Sequence, residues 1–178
     1  LNCARGGGRI DVEASYALLD GGTVTFDLPD ASTIDGPYVI DPGLVWCTYM
    51  GGSDDDNIWD LALDDEGNLL GAGCTMSNDF PTTPGVVDTQ FNGSMDGVIL
   101  KFDGDGSDLL MATYIGGSGH DQAKHVSLAQ DGNIVVSGGT ESDDLFVTID
   151  AISEVPLGDH DIFLMKVKAD GTEILYGT

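Results

Sequence analysis

Leu44-Val-Trp-Cys-Thr48-Tyr49-Met-Gly51-Gly52-Ser53 governs the architecture of this 178-residue chain, because the pattern is used again. It returns as Leu109-Leu-Met-Ala-Thr113-Tyr114-Ile-Gly116-Gly117-Ser118, and a third copy begins at Ile174-Leu-Tyr-Gly-Thr178. The offset is 65 residues each time, without a gap. Self-similarity at a fixed period is the signature of a repeat architecture. We therefore predict an N-terminal β-hairpin segment or linker over 1–43, a first repeat over 44–117 and a second over 118–178.

Four apolar runs in each repeat predict strands, since turns rich in Asp and Gly separate them. A longer loop, 76–96 in the first repeat, lies between two predicted hairpins. In the N-terminal segment, Asp20-Gly-Gly between two strand-like runs predicts one more hairpin. The predicted strands of the two repeats are 58–63, 69–74, 97–102 and 109–115, then 123–128, 134–138, 162–167 and 174 to the end.

Several of these runs are apolar on both faces, as in Val98-Ile-Leu100 and Ile162-Phe-Leu-Met165. A sheet with one solvated face would alternate, so these strands should be covered on both sides. Four antiparallel strands that stack face to face with their neighbours form the blade of a β-propeller. The predicted fold class is therefore all-β, with antiparallel four-stranded blades of β-propeller type. Two ordinary sandwiches in tandem are the alternative, and they do not account for the gapless period.

The chain is strongly acidic, with 31 Asp and Glu against six Lys and Arg and a net charge of −25. Of the acids 26 are Asp, which favours turns, whereas Glu favours helix. Such a field repels nucleic acid and anionic membranes and attracts cations. No apolar run approaches the ~18 residues of a membrane helix. We predict neither nucleic-acid binding nor membrane insertion.

Three cysteines, Cys3, Cys47 and Cys74, have no metal-binding spacing. In a secreted chain oxidation is permitted, and we expect Cys47 to pair with Cys74, with Cys3 left free or bonded to another chain. The chain has no initiator Met, and its third copy stops at Thr178, where the earlier copies continue. Both ends are therefore expected to be cuts through a longer protein.

The motifs Thr-Tyr-x-Gly-Gly-Ser, Asp-x-x-Gly-Asn, Gly-x-Thr-x-Ser-x-Asp-Phe-Pro-Thr-Thr-Pro-Gly and Asp-Gly-x-Leu together resemble the bacterial SBBP-type β-propeller repeat. The resemblance covers about 40–178 well and 1–39 loosely. It implies a propeller fold and a secreted, cell-surface setting, and it brings no common catalytic activity. The second repeat has Asp144-Leu-Phe-Val-Thr-Ile-Asp150 in place of the proline motif, so we expect another shape for its long loop.

Asp103, Asp105 and Asp108 have the oxygen spacing of a calcium loop, because a hard cation takes several carboxylate ligands from one short turn. They are the predicted metal ligands, with calcium as the cofactor. The distal Glu of an EF-hand is absent, and the second repeat has Lys168 in place of Asp103. A hairpin turn rich in Asp and Gly, without a metal, is the alternative. A second acidic cluster, Ser53 to Asp56 with Asp79, has the same two interpretations.

The histidines and aromatic residues also allow two interpretations. His120 and His160 each precede an Asp, an arrangement that could serve acid–base chemistry. Without a nucleophile motif, exposed loop histidines are favoured. Tyr49 and Tyr114 could form a sugar-stacking platform with the two tryptophans. A Tyr at the same position of each copy is better explained by packing between blades.

We predict a non-enzymatic, extracellular structural module that self-associates into a filament or surface lattice. Propellers close with four to eight blades, and this chain supplies two. Both flanking faces and the strand edges are therefore expected to be open, and open edges invite pairing with another chain. The segment 1–43 is expected to dock on a neighbouring copy. A glycan-binding or calcium-dependent adhesion propeller is the alternative.

Overall fold

The computed structural model describes residues 46–178 together with four short strands that precede them. The chain divides into two units, Leu1–Val45 and Trp46–Thr178. In the first unit β1 pairs with β2 and β3 pairs with β4, both antiparallel. The second pair has Leu19 opposite Thr23, which confirms the hairpin predicted at Asp20-Gly-Gly. The bounds of these strands are Asn2–Arg5 (β1), Gly8–Asp11 (β2), Ser15–Leu19 (β3) and Thr23–Asp27 (β4).

The second unit consists of two four-stranded antiparallel sheets in which consecutive strands are neighbours. The predicted all-β class with blade-like sheets is confirmed. In the part of the chain that the structure describes there is no helix, and hence no helix that could cross a membrane. The first sheet contains β5 (Asp56–Leu63), β6 (Leu69–Thr75), β7 (Asp96–Phe102) and β8 (Leu109–Ile115), and the second contains β9 (Asp121–Leu128), β10 (Ile134–Thr140), β11 (Asp161–Val167) and β12 (Ile174–Gly177).

Polar residues extend the strands beyond the predicted apolar runs. In the first sheet Thr75 stands between Asp56 and Asp96 in the ladder. In the second, Thr140 stands between Asp121 and Asp161. Backbone hydrogen bonding between strands continues through these polar positions. A strand predicted from its hydrophobic residues alone ends before them. The predicted bounds were therefore one or two residues too narrow at this end of each sheet.

Glycine allows two local features that both sheets share. Gly67 and Gly132 adopt φ of 84° and 78° in the β5–β6 and β9–β10 turns, a region that disfavours other residues. Gly73 and Gly138 sit opposite a bulge in the neighbouring strand, where a Cβ would collide with backbone. Each bulge inserts one residue and bends the strand.

The two sheets stack face to face around a shared apolar core. The first sheet contributes Leu70, Ala72 and Ile99, and the second contributes Phe163 and Met165. All five side chains are 2% exposed or less. Burial of apolar surface stabilises a fold by about 25 cal/mol per Å². This shared core therefore joins the two repeats into one packed unit.

The opposite face of the first sheet is buried over β6, β7 and β8, which corrects the expectation of an open face there, while Ile58, Leu61 and Leu63 of β5 stay 41% to 66% exposed on it. Val98, Leu100 and Tyr114 form a second core with Trp46 and Met50 packed against it. The segment 46–50 corresponds to the end of β8 one repeat earlier. It packs on the first sheet much as β8 packs on the second: Trp46 lies over Gly106, and Met111 lies over Gly171.

The long loop of each repeat bonds to the outer edge strand of its own sheet. In the first repeat Thr83 N–H donates to Ala112 O (3.0 Å), and Ala112 N–H donates to the Thr83 hydroxyl (3.1 Å). In the second repeat Thr148 N–H donates to Gly177 O (3.0 Å), and Gly177 N–H donates to the Thr148 hydroxyl (3.2 Å). The second loop thus keeps the edge contact of the first without the proline motif, but its backbone differs at Asp150, which lacks the positive φ of the matching Gly85 (84°). Both outer edges are partly occupied, so they are less open than predicted.

Candidate functional site

The predicted calcium ligands lie on the turn between β7 and β8, where turn hydrogen bonds already occupy carboxylate oxygens. Asp103 accepts the Asp108 N–H (3.0 Å) and the Ser107 hydroxyl (2.7 Å), and Asp105 accepts the Ser107 N–H (3.1 Å). The Asp108 N–H and the Ser107 hydroxyl lower the pKa of Asp103. Among the described residues no three His, Cys, Asp or Glu side chains gather as metal ligands. Calcium at this turn stays a prediction.

The second acidic cluster forms a hydrogen-bonded link that leads the chain into the first sheet. Gly52 N–H donates to Asp56 (2.7 Å), and the N–H and hydroxyl of Ser53 both donate to Asp79 (2.8 and 3.0 Å). Asp54 N–H donates to the Ser77 hydroxyl (2.8 Å). These contacts account for the recurring Gly-Gly-Ser, Ser and Asp positions as turn chemistry.

The same link recurs 65 residues later, between the two sheets. Gly117 N–H donates to Asp121 (2.8 Å), and Ser118 N–H donates to Asp144 (2.7 Å). Here, however, Asp121 is fully buried, and so is Asp96. Burial raises the pKa of Asp96 to about 6, aided by the charge of Asp121 and opposed by the backbone N–H of Asn92. Sequence patterns do not predict that these two carboxyl groups meet, because Asp96 and Asp121 lie in different repeats.

Cys47 and Cys74 are both free thiols, so the predicted disulfide between them is wrong. Cys74 lies in β6 on the face that meets the second sheet, in line with Leu70 and Ala72. Cys47 follows Trp46, which packs on the opposite face of that sheet. The sheet itself therefore separates the two sulfur atoms. Burial raises the pKa of the Cys74 thiol. The side chain of Cys3 lies outside the described residues.

His125 and His160 contact acids other than their sequence neighbours, and the Nδ1 of His120 is buried without a hydrogen-bond partner among the described residues. His125 Nδ1 lies 3.6 Å from Asp60 Oδ2, and His160 Nδ1 lies 3.3 Å from Glu141 Oε1. Both histidines and Glu141 are exposed. Such exposed pairs contribute little to stability.

The tyrosines have opposite environments. Tyr114 is buried, its hydroxyl donates to Ser77 O (2.8 Å) and accepts the Phe80 N–H (3.1 Å), and its ring packs near Phe80 and Phe91. It therefore has a packing role, and its contacts are with the long loop of its own repeat. Tyr49 is fully exposed, so packing does not explain it.

A cavity of about 640 Å³ lies where the long loops of the two repeats approach each other. Its polar wall includes Asp88, Asn92 and Asp144, and Phe146 and Met165 are among its apolar groups. A concave site of this size with a few polar groups can hold a small molecule.

The face of the second sheet that points away from the first sheet is an open apolar surface. Ile162 is 87% exposed and Leu164 is 45% exposed, whereas Ile99, the counterpart of Leu164, is 1% exposed. We call this surface the open face. It continues into a groove of about 340 Å³ lined by apolar residues of the 141–160 loop, among them Ile152, Val155 and Leu157.

Comparison with protein-family models and with characterised proteins found no match to this chain.

Proposed function

We propose that the chain is a non-enzymatic structural module of an extracellular assembly, and that copies associate through the open face. The observation that carries the proposal is the exposure of Ile162 and Leu164 on a sheet whose counterpart in the first repeat is covered. Exposed apolar patches of this kind mark interaction sites in soluble proteins. The acidic charge of −25 and the resemblance to SBBP-type repeats support the extracellular setting.

The repeat itself indicates what would cover the open face. The matching face of the first sheet is buried by the second sheet, which brings Phe163 and Met165 against Ile99. The open face is equivalent to that covered face of the first sheet. A sheet like the second one, from another copy, would therefore fit against it. Repeat units of this type bury their faces by stacking on neighbours.

The long loops support the same partner. In the first repeat Val87 N–H donates to Gly171 O of the second sheet (2.8 Å), and Val86 and Val87 pack against the shared core. Their counterparts are Ala151 and Ile152, and Ile152 is 91% exposed. A further sheet at the open face would cover Ile152 in the way that the second sheet covers Val87.

Sedimentation velocity of the 178-residue chain at micromolar concentration tests the proposal. We expect a concentration-dependent increase in mass for the natural chain and a monomer for the variant Ile162→Asp/Leu164→Asp, because a charge on the face prevents apolar stacking. Leu110→Asp is the matched control, since Leu110 is 48% exposed, close to Leu164, and lies on a strand of the first sheet outside the shared core.

Electron microscopy of the associated sample would separate a closed ring from a filament or lattice, since head-to-tail contacts give either form. A natural chain that stays monomeric throughout the concentration range would refute self-association. Association that survives the double substitution would place the contact elsewhere on the molecule.

A ligand-binding adhesion module is the second candidate, and the cavity between the long loops favours it. Asn92 and Asp144 converge there with Phe146, a combination that suits a polar ligand with one apolar face, such as a glycan. Binding on a glycan array that is lost in Phe146→Ala and retained in Ile162→Asp would support this function over assembly.

A further inference from the structure

Oxygen atoms from both repeats converge where the first sheet passes into the second. Asp96 Oδ1 and Asp121 Oδ2 lie 2.9 and 3.0 Å from the point that a Cβ on Gly116 would occupy. On the neighbouring side, a Cβ on Gly93 would meet Asp96 Oδ1 and two backbone carbonyl oxygens. We call the junction cluster these four groups, namely the carboxylates of Asp96 and Asp121 and the carbonyls of Gly117 and Gly119.

One oxygen of the Asp121 carboxylate, Oδ1, is buried without a partner, while Oδ2 is the oxygen near Gly116. Asp121 Oδ2 accepts the Gly117 N–H (2.8 Å) and the Ser142 hydroxyl (2.6 Å). Asp121 Oδ1 has no hydrogen-bond partner among the described residues, although the side chain is 0% exposed. A buried carboxylate oxygen left unsatisfied is costly, and native structures supply a ligand or partner for such a group.

The junction cluster also holds two buried acids without a positive side chain to balance them. Asp96 is 0% exposed, as Asp121 is, and neither takes part in any ion pair of the described residues. Burying a charge requires a compensating charge or a change of protonation. A single proton could bridge the two carboxylates. A cation could in addition be bound by the carbonyls of Gly117 and Gly119, of which Gly119 O already accepts the N–H (2.8 Å) and the hydroxyl (3.2 Å) of Ser94.

We propose that the junction cluster is a binding site for a hard divalent cation of the calcium class. Carboxylate and backbone carbonyl oxygens are the ligands that such a cation prefers. The glycines at 93 and 116 keep side chains out of the space between the ligands. Because the ligands come from both repeats, the cation would fasten one sheet to the next. This site is distinct from the predicted one at Asp103.

The repeat supplies matched positions that have no second buried acid beside them among the described residues. Asp56 corresponds to Asp121, but its Oδ1 accepts the Thr75 hydroxyl. Asp161 corresponds to Asp96 and accepts the N–H groups of Leu157 and Gly158 at 2.9 and 3.2 Å. It is only half-buried. Asp56→Asn and Asp161→Asn are therefore controls for Asp121→Asn and Asp96→Asn.

The experiment measures thermal unfolding and calorimetric binding of calcium chloride to the chelator-treated chain, with 150 mM sodium chloride to screen diffuse binding. We expect one saturable site and a rise in Tm of about 5 to 10 °C at a hundredfold excess over Kd. Asp96→Asn and Asp121→Asn should lose both effects, while Asp56→Asn, Asp161→Asn and Asp103→Asn should keep them.

Three outcomes would overturn the proposal. Identical melting curves of the natural chain in calcium and in chelator would do so even if the junction variants failed to fold. Loss of binding in Asp103→Asn alone would move the site to the β7–β8 turn. A third outcome is a stability that does not change with cations but increases as the pH falls from 7 to 5, with no such increase in Asp96→Asn. It would show that the carboxylates share a proton and do not bind a cation.

Discussion

The two sheets have the same strand order and equivalent turns, yet equivalent side chains differ widely in exposure. Ile99 in the first sheet is 1% exposed, and Leu164 in the second is 45% exposed. Both are large aliphatic residues on a central strand. The difference arises because the second sheet covers Ile99, while no described residue covers Leu164 to the same extent. Burial in a stacked repeat is thus a property of the neighbour and not of the residue.

Tyr49 and Tyr114 make the same point within one motif. Both stand in Thr-Tyr-x-Gly-Gly-Ser, but only Tyr114 has a long loop folded over it, with Ser77 and Phe80 at its hydroxyl. The five predictions that follow compare residues in contrasting environments, in order of decreasing expected effect.

Tyr114→Ala should lower the free energy of unfolding by about 3 to 5 kcal/mol, because it removes a buried aromatic ring and leaves a cavity. Tyr49→Ala should change it by less than about 0.5 kcal/mol, as expected for an exposed position. Urea unfolding followed by tryptophan fluorescence measures both, since Trp46 and Trp59 lie in the same unit. Equal losses in the two variants would contradict the assigned burial.

Ile99→Ala should cost about 2 to 4 kcal/mol, because Ile99 fills the core between the sheets. Leu164→Ala should cost less than about 1 kcal/mol in the monomer, measured at a protein concentration below any association. A rise in the Leu164→Ala cost with protein concentration would sharpen the comparison, since association would then bury that side chain. A large cost at every concentration would mean that the open face is covered within one chain.

Asp64→Ala should destabilise the chain by about 2 kcal/mol, and Asp131→Ala should do so clearly less. Asp64 pairs with Lys101 at 2.7 Å in a mostly buried site and accepts the Asn68 N–H, whereas Asp131 pairs with Lys166 at the surface. Partly buried charged hydrogen bonds contribute more than exposed ion pairs. Chemical unfolding of the two variants at neutral pH measures the difference, and equal values would refute it.

The contribution of Asp64 should also depend on pH. Burial acts to raise the pKa of Asp64, but Lys101 and Asn68 outweigh it and hold the pKa well below its usual range. A depressed pKa means that stability is present above about pH 4 and is lost as the pH falls further. Unfolding curves of the natural chain and Asp64→Ala should therefore converge between pH 4 and pH 2. A constant difference over that range would contradict the pairing.

Cysteine labelling should distinguish the two faces of the first sheet by their reactivity. Of the predicted effects this one involves the smallest change in stability. In a Cys3→Ser background, Cys47 should react with a thiol reagent in the folded state, because it is exposed. Cys74 should react only after unfolding, since burial blocks access and raises its pKa. Mass spectrometry of the labelled chain measures this. Protection of both thiols without reductant, with a mass loss of two hydrogens, would restore the disulfide.

Much of the fold could be predicted from the sequence because its signals are local. The Asp-Gly turns and the two-sided apolar strands gave all eight strands of the two sheets, and the gapless period made the sheets equivalent. The polar ends of β5 and β9 were missed, since Asp56 and Asp121 look like loop residues until they are paired in the ladder. For the candidate functional site, the acidic turns could be predicted from the sequence, but the burial of Asp96 and Asp121 could not.

The sequence by itself determined the repeat, the turns with left-handed glycines at Gly67 and Gly132, and the antiparallel order of strands. The turns depend on interactions between residues a few positions apart, and the repeat is a property of the sequence alone. Only the tertiary structure decided that Asp96 meets Asp121, that Cys47 and Cys74 lie on opposite faces, and that one sheet face stays open. Alternation along a strand specifies that two faces exist, but stacking decides which face gains a neighbour and which oxygen atoms are brought together.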